Sequence, residues 1–237
     1  MKCVILQPSY IPWRGYFHQI QKADVFVFYD DVQYDDRGWR NRNRVKTDRG
    51  VKWLTIPVRS RGVQFSNALS RDIRISWDRP WAHKHWATIR HAYGRAPHFA
   101  RYTDFLEAFY LRHDEFLADF TIDFTVALAR ELGLTRTRFL RSSDLPVAGT
   151  KTDRLLALLA AVGADHYISG PSARAYIDED KVRAAGVTLE YISYDYPEYE
   201  QLYPPYDPRV SIIDLLFMKG PAAGEYIWES RAGEGGV

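Results

Sequence analysis

The sequence predicts an α/β fold with a mainly parallel sheet and a helical middle, about residues 79–133, inserted into that sheet or capping it. Three observations predict it. Near the N-terminus two apolar runs, Cys3-Val4-Ile5-Leu6 and Val25-Phe26-Val27-Phe28, flank a single short amphipathic helix. The last third alternates strand-like and helix-like segments again. The segment between them carries the apolar spacing of helices.

In order, the elements are a strand at 3–6, a loop at 7–14, a helix at about 15–22 and a strand at 25–29. Asp30-Asp31-Val32-Gln33-Tyr34-Asp35-Asp36 ends that strand in an acidic, polar loop. Arg44–Thr47 and Val51–Val58 flank Asp48-Arg49-Gly50, which reads as a hairpin. Ile73-Arg74-Ile75 suits a further short strand. Pro80 opens a helix over 80–93, since proline fits a first turn, and Gly94 and Pro97 close it. Helices follow at 100–112 and 114–133. Phe105 and Phe109, and then Phe116, Phe120 and Phe124, recur every fourth residue and read as a packing stripe.

Arg138–Leu140 is then a strand, and Thr152 caps an apolar helix at 153–162 that Gly163 ends. His166–Ser169 is a strand and Ser169–Arg174 a turn. Asp180–Ala185 is a helix closed by Gly186, and Thr188–Ile192 a strand. Ser211 caps a helix at 212–219, stopped by Gly220-Pro221. Gly233–Val237 read as a frayed end. The whole, 1–237, is expected to form one domain.

Composition narrows the function. Hydrophobic residues make up 46% of the 237 and charged residues 26%, the profile of a folded soluble chain rather than a disordered one. The single cysteine, Cys3, rules out a disulfide framework and reads as a small buried hydrophobe. Met-Lys leads straight into a strand, unlike a signal peptide. No apolar run reaches the ~20 residues that span a bilayer, so membrane insertion is not expected and the cytoplasm is.

Net charge is only +2, but residues 37–61 hold nine bases against one acid, Asp48, a local +8. The bases are Arg37, Arg40, Arg42, Arg44, Lys46, Arg49, Lys52, Arg59 and Arg61. Such a field suits a phosphorylated or nucleic-acid partner. Alternatively it pairs with the acidic 184–200 segment, which carries Glu190, Asp195, Glu198 and Glu200 and no base.

A loop at the carboxyl end of a first parallel strand is where open α/β sheets place ligands. Gly15 would let the backbone approach a ligand at a helix N-terminus, whose free N–H groups favour anions. Gln7, Tyr10, Trp13 and His18 would surround it, with His18 near phosphate or simply packed. Asp30 and Asp31 suit Mg²⁺ with substrate phosphates, a substrate amine, or turn capping. Trp39-Arg40-Asn41-Arg42-Asn43-Arg44 offers charge, amides and a stacking face for a nucleotide, sugar or single-stranded RNA. Trp39, Asn41, Arg42 and Asn43 are its binding candidates. Lys84 and His85 lie on a predicted helix, where His85 suits proton transfer or a solvated face. His83 and His91 lack metal-pair spacing, and no metal site is expected. Ser169, Gly170, Ser172 and Arg174 offer a second place for an anion. No P-loop, Rossmann fingerprint or hydrolase elbow is present.

Together these segments resemble the WbqC-like family. The resemblance rests on Gln7-Pro8-x-Tyr10-x-Pro12-Trp13-x-Gly15-Tyr16-Phe17, Ala23-Asp24-x-Phe26-Val27, Asp31-Val32-Gln33-Tyr34 and Trp39-x-Asn41-Arg42-Asn43. It continues through Trp53-Leu54-Thr55-x-Pro57-Val58, Lys84-His85, Tyr167-Ile168-Ser169-Gly170 and Ser211-Ile212-Ile213-Asp214-Leu215-Leu216. Leu6 stands where some relatives carry a histidine before the glutamine.

The resemblance implies O-antigen or other polysaccharide biosynthesis, or natural-product biosynthesis, with acyl or aminoacyl transfer to an amine such as an amino sugar. It also implies a HUP/nucleotidyltransferase-like architecture. The donor would be activated by ATP with Mg²⁺, or would be an aminoacyl-tRNA held by the basic 37–61 segment. Gln7, Tyr10, Trp13 and Gly15 would shape the pocket, with Gln33 beside them. Asp30 or Asp31 would hold the amine or a metal, Asn41, Arg42 and Asn43 the donor, and His85 would move the proton. A nucleotidyl- or glycosyl-type transferase acting on a sugar phosphate is an alternative, as is a non-catalytic RNA-binding protein.

Overall fold

Burial on both faces is what turns the short apolar runs into a parallel sheet. The computed structural model describes residues 1–59, 65 and 67–228. Arg61 and Gly233–Val237 lie outside them. The chain runs β1 (Lys2–Leu6), α1 (Arg14–Lys22), β2 (Val25–Phe28), β3 (Arg42–Thr47), β4 (Gly50–Thr55), α2 (Trp81–Tyr93), α3 (Phe99–Tyr110) and α4 (Leu117–Glu131). It continues with β5 (Arg138–Arg141), α5 (Lys151–Val162), β6 (His166–Ser169), α6 (Glu179–Ala184), β7 (Thr188–Tyr191) and α7 (Ile212–Lys219). Five strands form one sheet in the order β5-β2-β1-β6-β7, each neighbouring pair parallel. β3 and β4 form a separate antiparallel hairpin, turned at Gly50 with φ +95°. Counting sheet strands alone, the order is 3-2-1-4-5, so the direction of winding reverses between β1 and β6.

Strand alternation divides the core. Val4, Phe26 and Phe28 face a layer built from Phe17 and Ile20 of α1, from α2–α4 and from α7. Cys3, Ile5, Val25 and Val27 face Leu155, Leu158 and Leu159 of α5 and Val182 of α6. Burial pushes the Cys3 thiol up to about 12, so it stays neutral and packs as a small hydrophobe. The phenylalanine stripe packs as expected, with Phe109 and Phe124 stacked at 4.2 Å. Among the described residues no helix is long and apolar enough to cross a membrane.

Four local expectations are corrected. Ile73–Ile75 makes only isolated bridges, Arg74 to Phe116 and Ile75 to Val58, because its neighbours on either side are single loop residues. The helix expected from 114 begins at Leu117, because Asp114 and Glu115 give their carbonyls to Trp77 Nε1 and Ile75 N–H. Thr152 is not the cap of α5. The helix starts at Lys151, and Thr152 Oγ1 accepts instead from the Asp178 N–H, tying α5 to the start of α6. The acidic 184–200 stretch does not supply the hairpin's ion pairs: Glu190 meets Lys22 and His166, whereas Arg44 meets Asp207.

Candidate functional site

The Gln7–Trp13 loop leaves β1 at the point where the sheet reverses its winding. Leu6 is level with Phe28 of β2, and Val4 with Ile168 of β6, so Gln7 emerges beside Gly170 and Pro171. The hairpin holds the loop in place. Tyr10 N–H donates to the Arg40 carbonyl at 3.1 Å. Asn43 Nδ2 donates to the carbonyls of Tyr10 (3.1 Å) and Ile11 (2.8 Å). Those bonds secure Ile11 at φ +35°, where a β-branched residue is strained. Asn41 likewise spends its amide on the Ile56 carbonyl. Both asparagines therefore brace main chain.

Tyr10 points into the helical layer. Its hydroxyl lies 3.0 Å from His85 Nδ1 and 2.7 Å from the Tyr110 hydroxyl. His85 is buried, bonds the Thr55 main chain and meets Trp81 edge-on at 5.2 Å. Burial pushes it down to about 4, so it is a neutral imidazole near neutrality. Lys84, one residue away, is exposed on α2.

Trp13, Gly15 and His18 lie under the segment after β7. A Cβ at Gly15 would sit 2.6 Å from Trp13 Cη2, so the space this glycine opens is filled by its neighbour's indole. The Trp13 ring is edge-on to Tyr194 at 4.9 Å. His18 Nδ1 is 2.8 Å from the Tyr196 hydroxyl, and burial pushes it down to about 4. Arg14 pins the same segment by donating to the Pro197 carbonyl and the Tyr206 hydroxyl, and ties it to the turn after α7 by donating to the Tyr226 carbonyl.

The two aspartates tie the end of β2 to the Ser142–Asp144 turn after β5 and to α5. Asp30 is fully buried; Oδ1 accepts from Ser143 N–H (3.0 Å) and Oδ2 from the Ser143 hydroxyl (2.9 Å). Asp31 Oδ1 takes the Ser142 hydroxyl at 2.6 Å, and Oδ2 pairs with Arg154 of α5. Gln33 is exposed and bridges Leu69 through its backbone.

The cation at the switch point is Arg40. Its Nη1 donates to Ser9 Oγ at 2.8 Å and to the Gln7 carbonyl at 3.4 Å, and its Nε lies 4.0 Å from Asp35. Burial pulls its pKa below the ordinary guanidinium value. Gln7 Oε1 and Arg40 Nε are two of the nine side-chain polar atoms among the described residues that are buried without a hydrogen-bond partner. A buried acceptor and a buried donor left open near one strand end suit a polar ligand. Across the switch point, Ser169 is buried and Gly170 faces the Tyr194 hydroxyl. Ser172 is exposed, and Arg174 lies over Tyr191 at 4.6 Å.

Twelve of the eighteen predicted residues thus fall in four places. Gln7, Ser169 and Gly170 line the switch point, with Asp30 and Asp31 at the neighbouring strand end. Tyr10 and His85 belong to the helical layer. Trp13, Gly15 and His18 pack against the 194–206 segment. Trp39 and Arg42 lie on the hairpin's outer side. Sequence reasoning did not select Ser9, Arg40, Ser142, Ser143 or Arg154. Arg40 stood inside the basic motif, but nothing in its local spacing separates it from Arg42 or Arg44. Among the described residues no three His, Cys, Asp or Glu side chains group as a metal site.

Comparison with known proteins agrees with this architecture's sequence signature. Residues 7–226 match the model of the WbqC-like protein family. The chain is also 40% identical, over 228 residues, to the uncharacterized protein Rv1507c of Mycobacterium tuberculosis; the match covers 95% of this chain and 97% of that one. No solved structure matches it. With the family's motif loop seated at the sheet's switch point and the match running nearly end to end, the chain belongs to the WbqC-like protein family.

Proposed function

We propose that the protein is a cytoplasmic transferase or ligase that joins an activated acyl or aminoacyl group to an amine, such as an amino sugar, in polysaccharide or natural-product biosynthesis. One observation carries this reading: the sheet reverses its winding between β1 and β6, and Gln7, bonded by Arg40, leaves β1 there while Ser169 and Gly170 end the neighbouring β6. Open α/β sheets bind ligands at that point. The strand order supports a HUP/nucleotidyltransferase-like architecture, a single domain in which α2–α4 form the cap.

In this reading the Arg40 guanidinium holds the donor's phosphate or carboxylate. Gln7 Oε1 accepts an N–H from the amine. Asp31, at the end of the neighbouring strand β2, takes the proton, while Asp30 and His85 act as positioning residues, one for the turn after β5 and one for Tyr10. The amine nitrogen attacks the acyl carbon, the bond to the activating group breaks, and the nitrogen gives up a proton. The donor is ATP-activated, with Mg²⁺ on the nucleotide, or is an aminoacyl-tRNA.

The test is mass-spectrometric detection of an amide after incubation with an amino-sugar nucleotide and glycine plus ATP, or with glycyl-tRNA. Arg40→Ala should abolish product while leaving the fold intact. No turnover with either donor, across several acceptors, refutes the reading. Nucleotide or pyrophosphate release from a sugar phosphate without amide formation would favour a nucleotidyl- or glycosyl-type transferase instead.

A further inference from the structure

The outer face of the β3–β4 hairpin carries two tryptophans that the switch-point chemistry does not use. Trp39 is 42% exposed and Trp53 47% exposed, and their rings lie 4.9 Å apart. Burying such rings is favourable, so a side-by-side exposed pair signals a partner. The rings are tilted by 42° to each other. Arg42 lies over Trp53 at 5.4 Å, and Arg44 lies over Trp39 at 5.3 Å, so guanidinium groups hold the pair against the ribbon. Arg42 is itself fixed by the Gly38 and Arg37 carbonyls, and Arg44 by the Arg209 carbonyl. The result is a pre-ordered aromatic platform.

The face continues past exposed Val51, two residues before Trp53 on the same strand. Val51 also lines a groove of about 600 Å³ between the hairpin tip and α2, together with Arg49, Lys52, Thr88, His91 and one acid, Asp48. Of the eight bases in residues 37–59, Arg40 is spent at the switch point and Lys46 is buried against Gln201; the other six remain around the hairpin against that one acid. Stacking surface beside an excess of positive charge is the signature of sequence-tolerant single-strand binding.

We propose that this face binds a single-stranded nucleic acid, its bases stacked on Trp39 and Trp53 and its phosphates running past Arg42, Arg44 and Arg49. A second copy of the chain fits worse, because a two-fold interface would set two basic faces against each other. A bilayer fits worse because the patch is two indoles on a hairpin rather than the broad apolar face of an amphipathic helix. The proposal deepens the transferase reading, in which an RNA-borne aminoacyl donor would dock here; it rests on that reading for its purpose, not for its measurement.

The experiment is fluorescence anisotropy with a short labelled single-stranded RNA, its DNA counterpart and the matching RNA duplex, at several salt concentrations. Inorganic polyphosphate serves as a base-free competitor. The expected result is single-strand binding whose affinity falls with salt at a log–log slope of roughly −2 to −3, for three or four phosphates. Trp39→Ala and Trp53→Ala should each weaken binding about tenfold, and Trp53→Phe less, with melting temperature unchanged. Equal affinity for polyphosphate, or tryptophan variants that bind RNA as tightly as the parent, would overturn the proposal. So would tryptophan-dependent self-association, or tryptophan-dependent binding to phosphatidylglycerol vesicles, in the absence of RNA binding. RNA binding without amide formation would sink the transferase reading and leave this one standing; transfer without RNA binding would do the reverse.

Discussion

The buried Tyr10–His85 contact should make the protein sensitive to mild acid. His85 is 7% exposed, and burial pushes its pKa from 6.5 to about 4. Between those values the unfolded chain accepts a proton that the native state refuses. The stability this group contributes is therefore complete above pH 6.5 and is lost as pH falls toward 4. The offset of about 2.5 units is worth roughly 3 kcal/mol in full, and about 2 kcal/mol of it is already lost at pH 5. His18 is displaced in the same direction, so the parent's total slope is steeper still. Comparing His85→Asn with the parent removes that background. Urea unfolding at pH 8 and pH 5 should show the parent losing about 2 kcal/mol more than the variant. Equal losses, or an NMR titration of His85 near 6.5, would refute the reasoning.

Four further outcomes are expected. Gly15→Ala should cost about 1–3 kcal/mol by driving a methyl into the Trp13 indole, and it should shift tryptophan fluorescence; adding Trp13→Ala should recover part of the stability. Asp30→Ala should lower stability by about 2–4 kcal/mol in thermal or urea melts, because the Ser143 N–H and hydroxyl lose their buried acceptor. Asp214→Ala should cost a similar amount, since this fully buried carboxylate accepts from Tyr93, Tyr199 and Gln201 and so links α2, α7 and the segment between β7 and α7. Gln7→Ala should reduce amide formation at least tenfold while moving urea stability by less than about 1 kcal/mol, because no hydrogen bond of its side-chain oxygen is broken.

Much of the fold was legible in the sequence because secondary structure leaves a local record. Val25–Phe28 reads as a two-faced strand from four consecutive apolar residues, and all four are buried. Ser211 announces α7, and its hydroxyl does accept from Ile213 N–H. The motif loop and the family likewise came from contiguous residues. The site was legible only in part. That the Gln7 loop leaves the end of a first parallel strand followed from the sequence; that β6, with Ser169 and Gly170, lies beside it came from the sheet order. The rest depended on partners far away in the chain. Asn43 looked like a ligand's amide donor until Tyr10 and Ile11, more than thirty residues earlier, proved to be its acceptors. Gly15 looked like room for a ligand until the Trp13 indole filled it. Arg40 became the cation of the crevice only when the hairpin was laid beside Ser9. The sequence by itself determined most of the strands and helices and which loop leaves the first strand, because period and capping are encoded within a few residues. Tertiary structure alone decided which polar groups are spent on the protein and which stay open, because a hydrogen bond is settled by what stands about 3 Å away in space, whatever its distance along the chain.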